Sequence, residues 1–225
     1  MALLLAASLT GASGLAQDRI GKEAAPRLAI TVRVYTYVRV PSTDLAAAEN
    51  VASRIFQWTG VELTWIDCPH TSRGARQNPA CQFPITPTEI SVRLTADLPE
   101  LPGPTMGYSV PVPPPQHGYL GGIMLERARE HLRDAPELTL GVVLGHGIAH
   151  EIGHLLLGTQ RHSSSGLMQA NWDARELRLA VSGLLNFSAQ QAEAIRADVQ
   201  ARLRDQASQQ RMEAVQTTSS MSAGR

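Results

Sequence analysis

The sequence has no excess of either charge and no uninterrupted apolar run long enough to cross a membrane. Lys and Arg together number 20, as do Asp and Glu, and no dense cationic run occurs. Nothing in the charge therefore favours nucleic acid or an anionic membrane as a partner. A membrane span needs roughly 20 apolar residues, and the longest candidate, 138–158, is interrupted by His146, His150, Glu151 and His154. We therefore expect no nucleic-acid partner and no membrane span.

Nucleophiles for covalent catalysis are also scarce. The sequence contains no Gly-x-Ser-x-Gly segment, which disfavours a serine nucleophile on a sharp strand-to-helix turn. Its two cysteines, Cys68 and Cys81, flank a loop rich in Pro, Arg and Asn. If the chain is exported, an even cysteine count favours a disulfide, worth about 3 kcal/mol for a loop of this size. The other interpretation, metal binding by the two thiols, has only His70 beside it.

The two ends of the chain differ from its middle. Residues 1–16 have a short apolar core followed by small residues, and they resemble a secretory signal peptide that lacks a positively charged start. Residues 206–225 are polar, so we expect a disordered tail. The apolar content of 43% supports one globular domain over 27–205. We expect a secreted or periplasmic protein and, in the simplest case, a monomer.

The middle of the chain predicts an α/β fold. Apolar β-branched residues alternate from Arg27 to Val40, which predicts a strand. An alanine-rich stretch of helical period follows, and the order strand, helix, strand implies parallel strands joined by a right-handed crossover. We expect a mixed, twisted sheet with strands over 27–40, 61–67, 89–98 and 119–124, a loop over 99–115, and helices over 44–59, 125–133, 138–158 and 188–204.

The segment His150-Glu151-Ile152-Gly153-His154 has the spacing of a zinc site. Two histidines four residues apart project from one face of a helix, about 6 Å apart along its axis, so both imidazoles can bind one ion. Glu151 then lies where a general base for a zinc-activated water is needed. A catalytic zinc ion also requires a third protein ligand and an open fourth position.

His162 is the nearest candidate for the third ligand. Gly158 follows an apolar helical stretch and can take the left-handed conformation that ends a helix and turns the chain back. A small-residue turn then leads to Met168. The stretch from His150 to Met168 resembles the metzincin metallopeptidases, such as matrixins and adamalysins, whose pattern is H-E-x-x-H-x-x-G-x-x-H followed by a methionine turn. It is similar, more loosely, to secreted bacterial proteins known only as predicted metzincin-like peptidases.

The chain departs from that pattern in the spacing of two residues. Gly158 follows His154 by four residues instead of three, and His162 follows Gly158 by four, so His162 comes two residues late. The step from His154 to Met168 still equals that of a typical matrixin, because a shorter turn after His162 offsets the longer one before it. This indicates a variant loop.

The resemblance implies a zincin-like fold of the α+β kind with one Zn²⁺ ion. It implies that His150, His154 and His162 bind the ion and that Met168 forms the methionine turn. The implied activity is that of an endopeptidase, with Glu151 as general base and a peptide or protein as substrate. By the same analogy the substrate would add to the sheet edge beside the strand at 119–123; a plain core strand is the other interpretation of that segment.

Two nearby residues need separate weighing. Glu176 lies 22 residues after His154, and zincins of the thermolysin type take their third ligand from such a downstream helix. Asp173 stands where it would cap that helix, and Glu176 can equally be a solvent-facing residue. His146 lies one turn before His150, but about 12 Å from His154 along the axis, so we expect it to pack beside the site without binding the ion.

Two other functions fit the same residues. The first is a zinc-binding but catalytically inactive protein-binding domain, which the late position of His162 favours and the presence of Glu151 disfavours. The second is a metal-free structural domain in which His150 and His154 are buried core residues. Metal analysis separates the second from a peptidase, and substitution of Glu151 separates the first.

Overall fold

The structure is a computed structural model that describes residues 27–69, 78–98, 101, 105–113 and 115–223. Residues 1–16, for which the sequence predicts a signal peptide, lie outside the described residues.

Five strands form one sheet in the described chain. In chain order they are Ala29–Thr36 (β1), Glu62–Pro69 (β2), Glu89–Thr95 (β3), Gly107–Ser109 (β4) and Leu120–Met124 (β5). The strand order in the sheet is β2-β1-β3-β5-β4. All neighbours are parallel except β4, which runs antiparallel to β5. The mixed α/β fold that the sequence predicts is therefore confirmed.

The edge of the sheet differs from the prediction. The sequence predicts a loop over 99–115 and an edge strand over 119–124, but β4 lies within that loop and covers β5, which is therefore an inner strand. Two glycines of β5 make room for β4. A Cβ at Gly122 would lie 2.7 Å from the ring of Tyr108, and one at Gly121 would lie 3.1 Å from the Tyr108 carbonyl oxygen. A strand of three residues has no recognisable period, so the sequence does not reveal it.

Five α-helices pack with the sheet in the described chain: Ser42–Thr59 (α1), Leu125–Asp134 (α2), Leu140–Leu157 (α3), Ala174–Val181 (α4) and Ala189–Ala223 (α5). Helix α3 crosses α1 at two glycines. A Cβ at Gly141 would lie 2.5 Å from the Cβ of Ala47, and one at Gly145 would lie 2.5 Å from the Cβ of Val51. By length and composition α3 could cross a membrane, but 83% of it is buried inside the protein, so it is a core helix.

Helix α5 is longer than the sequence predicts. The prediction ends the helix at Arg204 and places a disordered tail over 206–225, whereas the helix continues to Ala223. No glycine or proline interrupts 189–223, so the helical backbone can continue without a break. The polar composition of this end reflects its exposure, since the side chains of 208–217 are all exposed.

The predicted disulfide is present. It joins Cys68, near the end of β2, to Cys81 in the short 3₁₀ turn Pro79–Cys81. The hydroxyl of Tyr35 in β1 donates to the Cys81 carbonyl oxygen at 3.1 Å. The turn is thereby attached to two neighbouring strands.

A buried arginine ties α5 to the end of α3. The side chain of Arg202 is fully buried, and its Nε donates to Asp198 at 2.5 Å. Its terminal nitrogens donate to the carbonyl oxygens of Pro87, Gly118 and Leu155 at 3.1, 2.8 and 3.3 Å. Leu155 lies in the last turn of α3, where carbonyl groups lack helical partners.

We expect Arg202→Met to lower the free energy of unfolding by about 3 kcal/mol, because it leaves buried carbonyl acceptors unpaired and removes the ion pair with Asp198. Chemical denaturation of the full chain measures this. Arg204→Met is the matched control, since Arg204 is exposed on the same helix, and it should change the free energy by less than about 0.5 kcal/mol. Equal losses in the two variants would contradict the prediction.

Glu49 of α1 makes stability depend on pH. One of its carboxyl oxygens is buried without a hydrogen-bond partner. Burial, together with the charge of Asp67, raises the pKa of Glu49 from 4.5 to about 7. Because the pKa is higher in the folded chain, the protonated form favours folding: this contribution is complete below the ordinary value and is lost as the pH rises through the folded value.

We therefore expect Glu49→Gln to be more stable than the native chain at pH 8, with a smaller difference at pH 5. Denaturation curves at the two pH values measure the difference. Glu62→Gln, which changes an exposed carboxylate of β2, serves as control. The prediction fails if the native chain and Glu49→Gln show the same pH dependence.

Candidate metal centre

Two histidines of α3 present their Nε2 atoms in the same direction. His150 and His154 are both buried. The Nδ1 of His150 lies 2.8 Å from the carbonyl oxygen of Leu167, and the Nδ1 of His154 lies 2.7 Å from that of Thr159. A carbonyl oxygen only accepts, so each Nδ1 carries the proton and each Nε2 keeps a free lone pair. This is the tautomer in which Nε2 binds a metal ion.

The third histidine of the motif joins them from the following loop. Helix α3 ends at Gly158, which is left-handed with φ 60° as the sequence predicts. The chain then turns back through Thr159, and the Nε2 of His162 lies 3.2 Å from the Nε2 of His154. One potential ligand atom from each of the three histidines lies within 4.8 Å of the others. The two extra residues before His162 do not keep it from the cluster.

The spacing of these nitrogens fits zinc. The Nε2 atoms of His150 and His154 are 3.0 Å apart, a distance at which two unprotonated nitrogens repel each other unless a cation lies between them. A tetrahedral zinc ion with Zn–N bonds of roughly 2.05 Å separates two ligand nitrogens by about 3.3 Å. Three imidazoles would leave the fourth position open, as a catalytic zinc site requires.

The electrostatic environment keeps the imidazoles in the form that binds metal. Burial lowers the pKa of His150 to about 4; the neighbouring His154 and His162 add to this effect, and the bond to Leu167 opposes it. Burial also lowers the pKa of His154. Both rings are therefore neutral near pH 7, and a neutral imidazole is the form that binds a metal ion.

Met168 packs against α3 at Gly153. Its side chain is buried, and a Cβ at Gly153 would lie only 2.7 Å from its sulfur. The backbone N–H of Ser163 donates to the Met168 carbonyl oxygen at 2.8 Å, which links the residue after His162 to the methionine. The glycine between His150 and His154 is therefore the point at which this turn approaches the helix.

Glu151 lies under the edge strand. It is almost fully buried, and burial raises its pKa to about 8. A Cβ at Gly107 would lie 2.5 Å from a Glu151 carboxyl oxygen, so any larger residue at 107 would force the Glu151 side chain to move. The importance of Gly107 has no signal in the sequence, because it lies in a segment where proline and glycine predict a loop.

The same strand also contacts the loop that carries His162. The side-chain amide of Gln160 donates to the hydroxyl of Ser109 at 2.9 Å. Gln160 lies between the second and third histidines of the cluster, and Ser109 is the last residue of β4.

His146 is a buried neighbour of the centre, as the sequence predicts. Its Nδ1 bonds to the carbonyl oxygen of Val142 at 2.8 Å, one turn earlier in α3. Its ring meets the indole of Trp172 edge to face, with centroids 6.1 Å apart. His146 does not belong to the histidine cluster. Trp172 is a residue whose contacts with the site the sequence does not predict, since no spacing rule points to it.

The rival ligand Glu176 is buried but lies apart from the cluster. Asp173 caps α4, as predicted, by accepting from the N–H of Arg175 at 2.7 Å. Glu176 is 1% exposed, so the expectation of a solvent-facing residue is wrong. One of its carboxyl oxygens is buried without a partner. Within the described residues, the group of potential metal ligands contains the three histidines and not Glu176.

No protein-family model matches the chain, and no curated protein matches it either. Among solved structures the chain is similar to the crystal structure of archaemetzincin from Methanopyrus kandleri, with 18% sequence identity and a TM-score of 0.49. The match covers 78% of this chain and 99% of that chain. This likeness concerns the fold alone, and the side chains of the metal centre carry the functional conclusion.

We expect the purified native chain to contain about one zinc ion. His162→Ala should weaken zinc binding at least about 10-fold, because it removes one of three ligands. Glu176→Gln is the control and should leave zinc binding unchanged. Elemental analysis and competition with a chromophoric chelator measure both. Loss of zinc from Glu176→Gln, with His162→Ala unaffected, would assign the third ligand to Glu176 instead.

Proposed function

We propose that the chain is a zinc-dependent endopeptidase. The observation that carries the proposal is the cluster of His150, His154 and His162, whose potential ligand atoms lie within 4.8 Å of one another, with Glu151 next to His150 on the same helix. Bound zinc supplies a Lewis acid that lowers the pKa of a water molecule and polarises a carbonyl oxygen. The chain then has to hold the ion, move one proton and position a peptide.

Glu151 is the residue that moves the proton in this proposal. Burial raises the pKa of Glu151 to about 8, whereas the charge of a zinc ion at the three histidines would favour the carboxylate form. The carboxylate would then accept a proton from the attacking water and return it to the leaving amine, so the group is regenerated in each cycle. Two contacts favour a fixed position for the carboxyl group: the burial of its side chain and the passage of Gly107 directly above it. A fixed base needs little reorganisation when the reaction begins.

We propose that the peptide binds along the outer edge of β4, which pairs with no further strand among the residues that the structure describes. The backbones of Met106 and Val110 bond to β5. Because bonded residues alternate in an antiparallel pair, the N–H and C=O groups of Gly107 and Ser109 face the open edge. An extended peptide can pair with these groups. This replaces the segment 119–123 as the proposed docking strand, since β5 is paired on both sides.

A catalytically inactive zinc-binding domain was the alternative that the late position of His162 favoured. The late position of His162 gives little support to this alternative, because the His162 Nε2 lies 3.2 Å from the His154 Nε2. The alternative stays as one outcome of the experiment below.

We also propose that the protein is a monomer that acts outside the cytoplasm, secreted or periplasmic. The disulfide between Cys68 and Cys81 supports an oxidising compartment. Fractionation of the source cells and a solution mass measurement test the two parts of this proposal separately.

We expect Glu151→Gln to reduce the hydrolysis rate at least about 100-fold while zinc binding is kept, because the amide cannot accept the proton. Peptides blocked at both termini, with cleavage sites located by mass spectrometry, measure internal cleavage. Glu137→Gln changes an exposed carboxylate and serves as control. A zinc-loaded native chain that cleaves no peptide of a broad library would favour the inactive binding domain, and equal rates for native and Glu151→Gln would exclude Glu151 as the base.

A further inference from the structure

Trp172 contacts the metal centre without belonging to it. The indole ring lies edge to face against His150, with centroids 6.0 Å apart and an interplanar angle of 75°. It meets His146 in a similar way, at 6.1 Å and 82°. The ring is half-buried. One aromatic side chain therefore packs against two successive histidines of α3.

The indole also shares a hydrogen-bond acceptor with a proposed zinc ligand. Its Nε1–H donates to the carbonyl oxygen of Leu167 at 3.2 Å, and the same oxygen accepts from the Nδ1 of His150 at 2.8 Å. A carbonyl oxygen has two lone pairs and can accept both bonds. On its other side, the backbone N–H of Leu167 donates to the carbonyl oxygen of Asn186 at 3.1 Å. The residue that orients His150 is thus held through both its carbonyl group and its N–H.

We propose that Trp172 is a positioning residue for the metal ligand His150. Its N–H fixes the Leu167 carbonyl, which holds the His150 proton at Nδ1 and leaves Nε2 directed at the ion. The indole ring packs edge to face against the His150 imidazole and so restricts its rotation. Groups that orient a ligating histidine in this way typically contribute about 10- to 100-fold to metal affinity. The inference rests on the proposed zinc site, since it assigns Trp172 a role at that site.

The first test separates positioning from general packing. Trp172→Phe keeps an aromatic ring but loses the N–H, and Trp172→Ala loses both. Trp65→Phe is the matched control, because Trp65 also donates its indole N–H, to the Ser53 hydroxyl at 2.8 Å, and contacts none of the three histidines. For each full-length variant, the zinc dissociation constant is measured by chelator competition and the stability of the metal-free chain by denaturation.

We expect Trp172→Phe to weaken zinc binding about 10-fold and Trp172→Ala by more, with Trp65→Phe unchanged in zinc affinity. Unchanged zinc affinity in Trp172→Phe and Trp172→Ala would overturn the inference, even if both variants are less stable, because packing alone predicts that result. Trp172→Phe keeps the test decisive if Trp172→Ala does not fold.

The second test uses the indole as a probe. The chain has three tryptophans, so in the double variant Trp58→Phe/Trp65→Phe all tryptophan fluorescence comes from Trp172. We expect Cu²⁺, a quencher of nearby indoles, to reduce its fluorescence in proportion to the metal bound, up to one ion per chain. Bound Cu²⁺ without quenching would overturn the inference. A native chain that binds neither Zn²⁺ nor Cu²⁺ would instead overturn the proposed function, and the two failures are therefore distinguishable.

Discussion

The burial of α3 is the constraint on which the rest of the site depends. A polar side chain that leaves water must find a hydrogen-bond partner inside the protein. His146 finds an acceptor in its own helix, whereas His150 and His154 bond to carbonyl groups in the chain that follows, at Leu167 and Thr159. The turns after the helix must therefore supply acceptors at two fixed places. Once they do, the remaining ring nitrogens face each other, and the arrangement that fits a metal ion follows from satisfying buried polar groups.

Glycine sets how closely the other elements can approach this helix. At Gly145 the helix meets α1, and at Gly153 it meets Met168 and Phe187. On the sheet side the glycine belongs to the strand, since Gly107 passes over Glu151. Glycine weakens an isolated helix by about 1 kcal/mol relative to alanine, so α3 depends on tertiary packing for its stability. These close approaches restrict the position of α3, because a Cβ at Gly145, Gly153 or Gly107 would require neighbouring atoms to shift.

Hydrophobic periodicity and helix-ending residues predicted the elements that a short stretch of sequence determines by itself. The predicted helix over 138–158 is observed as Leu140–Leu157, and Gly158 ends it as its lack of a Cβ allows. The sheet edge followed no such rule, because β4 is stabilised by pairing with β5 and not by its own three residues. The contacts of Trp172 could not be predicted either, since they form only when the segment just before the N-cap of α4 folds back on α3. At the end of α5 the polar composition predicts a disordered tail, whereas the structure continues the helix to Ala223.

The contact between Ser109 and Gln160 has a consequence for how the two proposed ligands are placed. Gln160 lies in the short stretch between two of the clustered histidines, and Ser109 ends the strand that covers Glu151. A hydrogen bond between these two side chains joins the sheet edge to the loop that carries His162. If a peptide occupies the edge of β4 and a metal ion binds at the histidines, as proposed, the two ligands would lie on segments of the chain that touch each other.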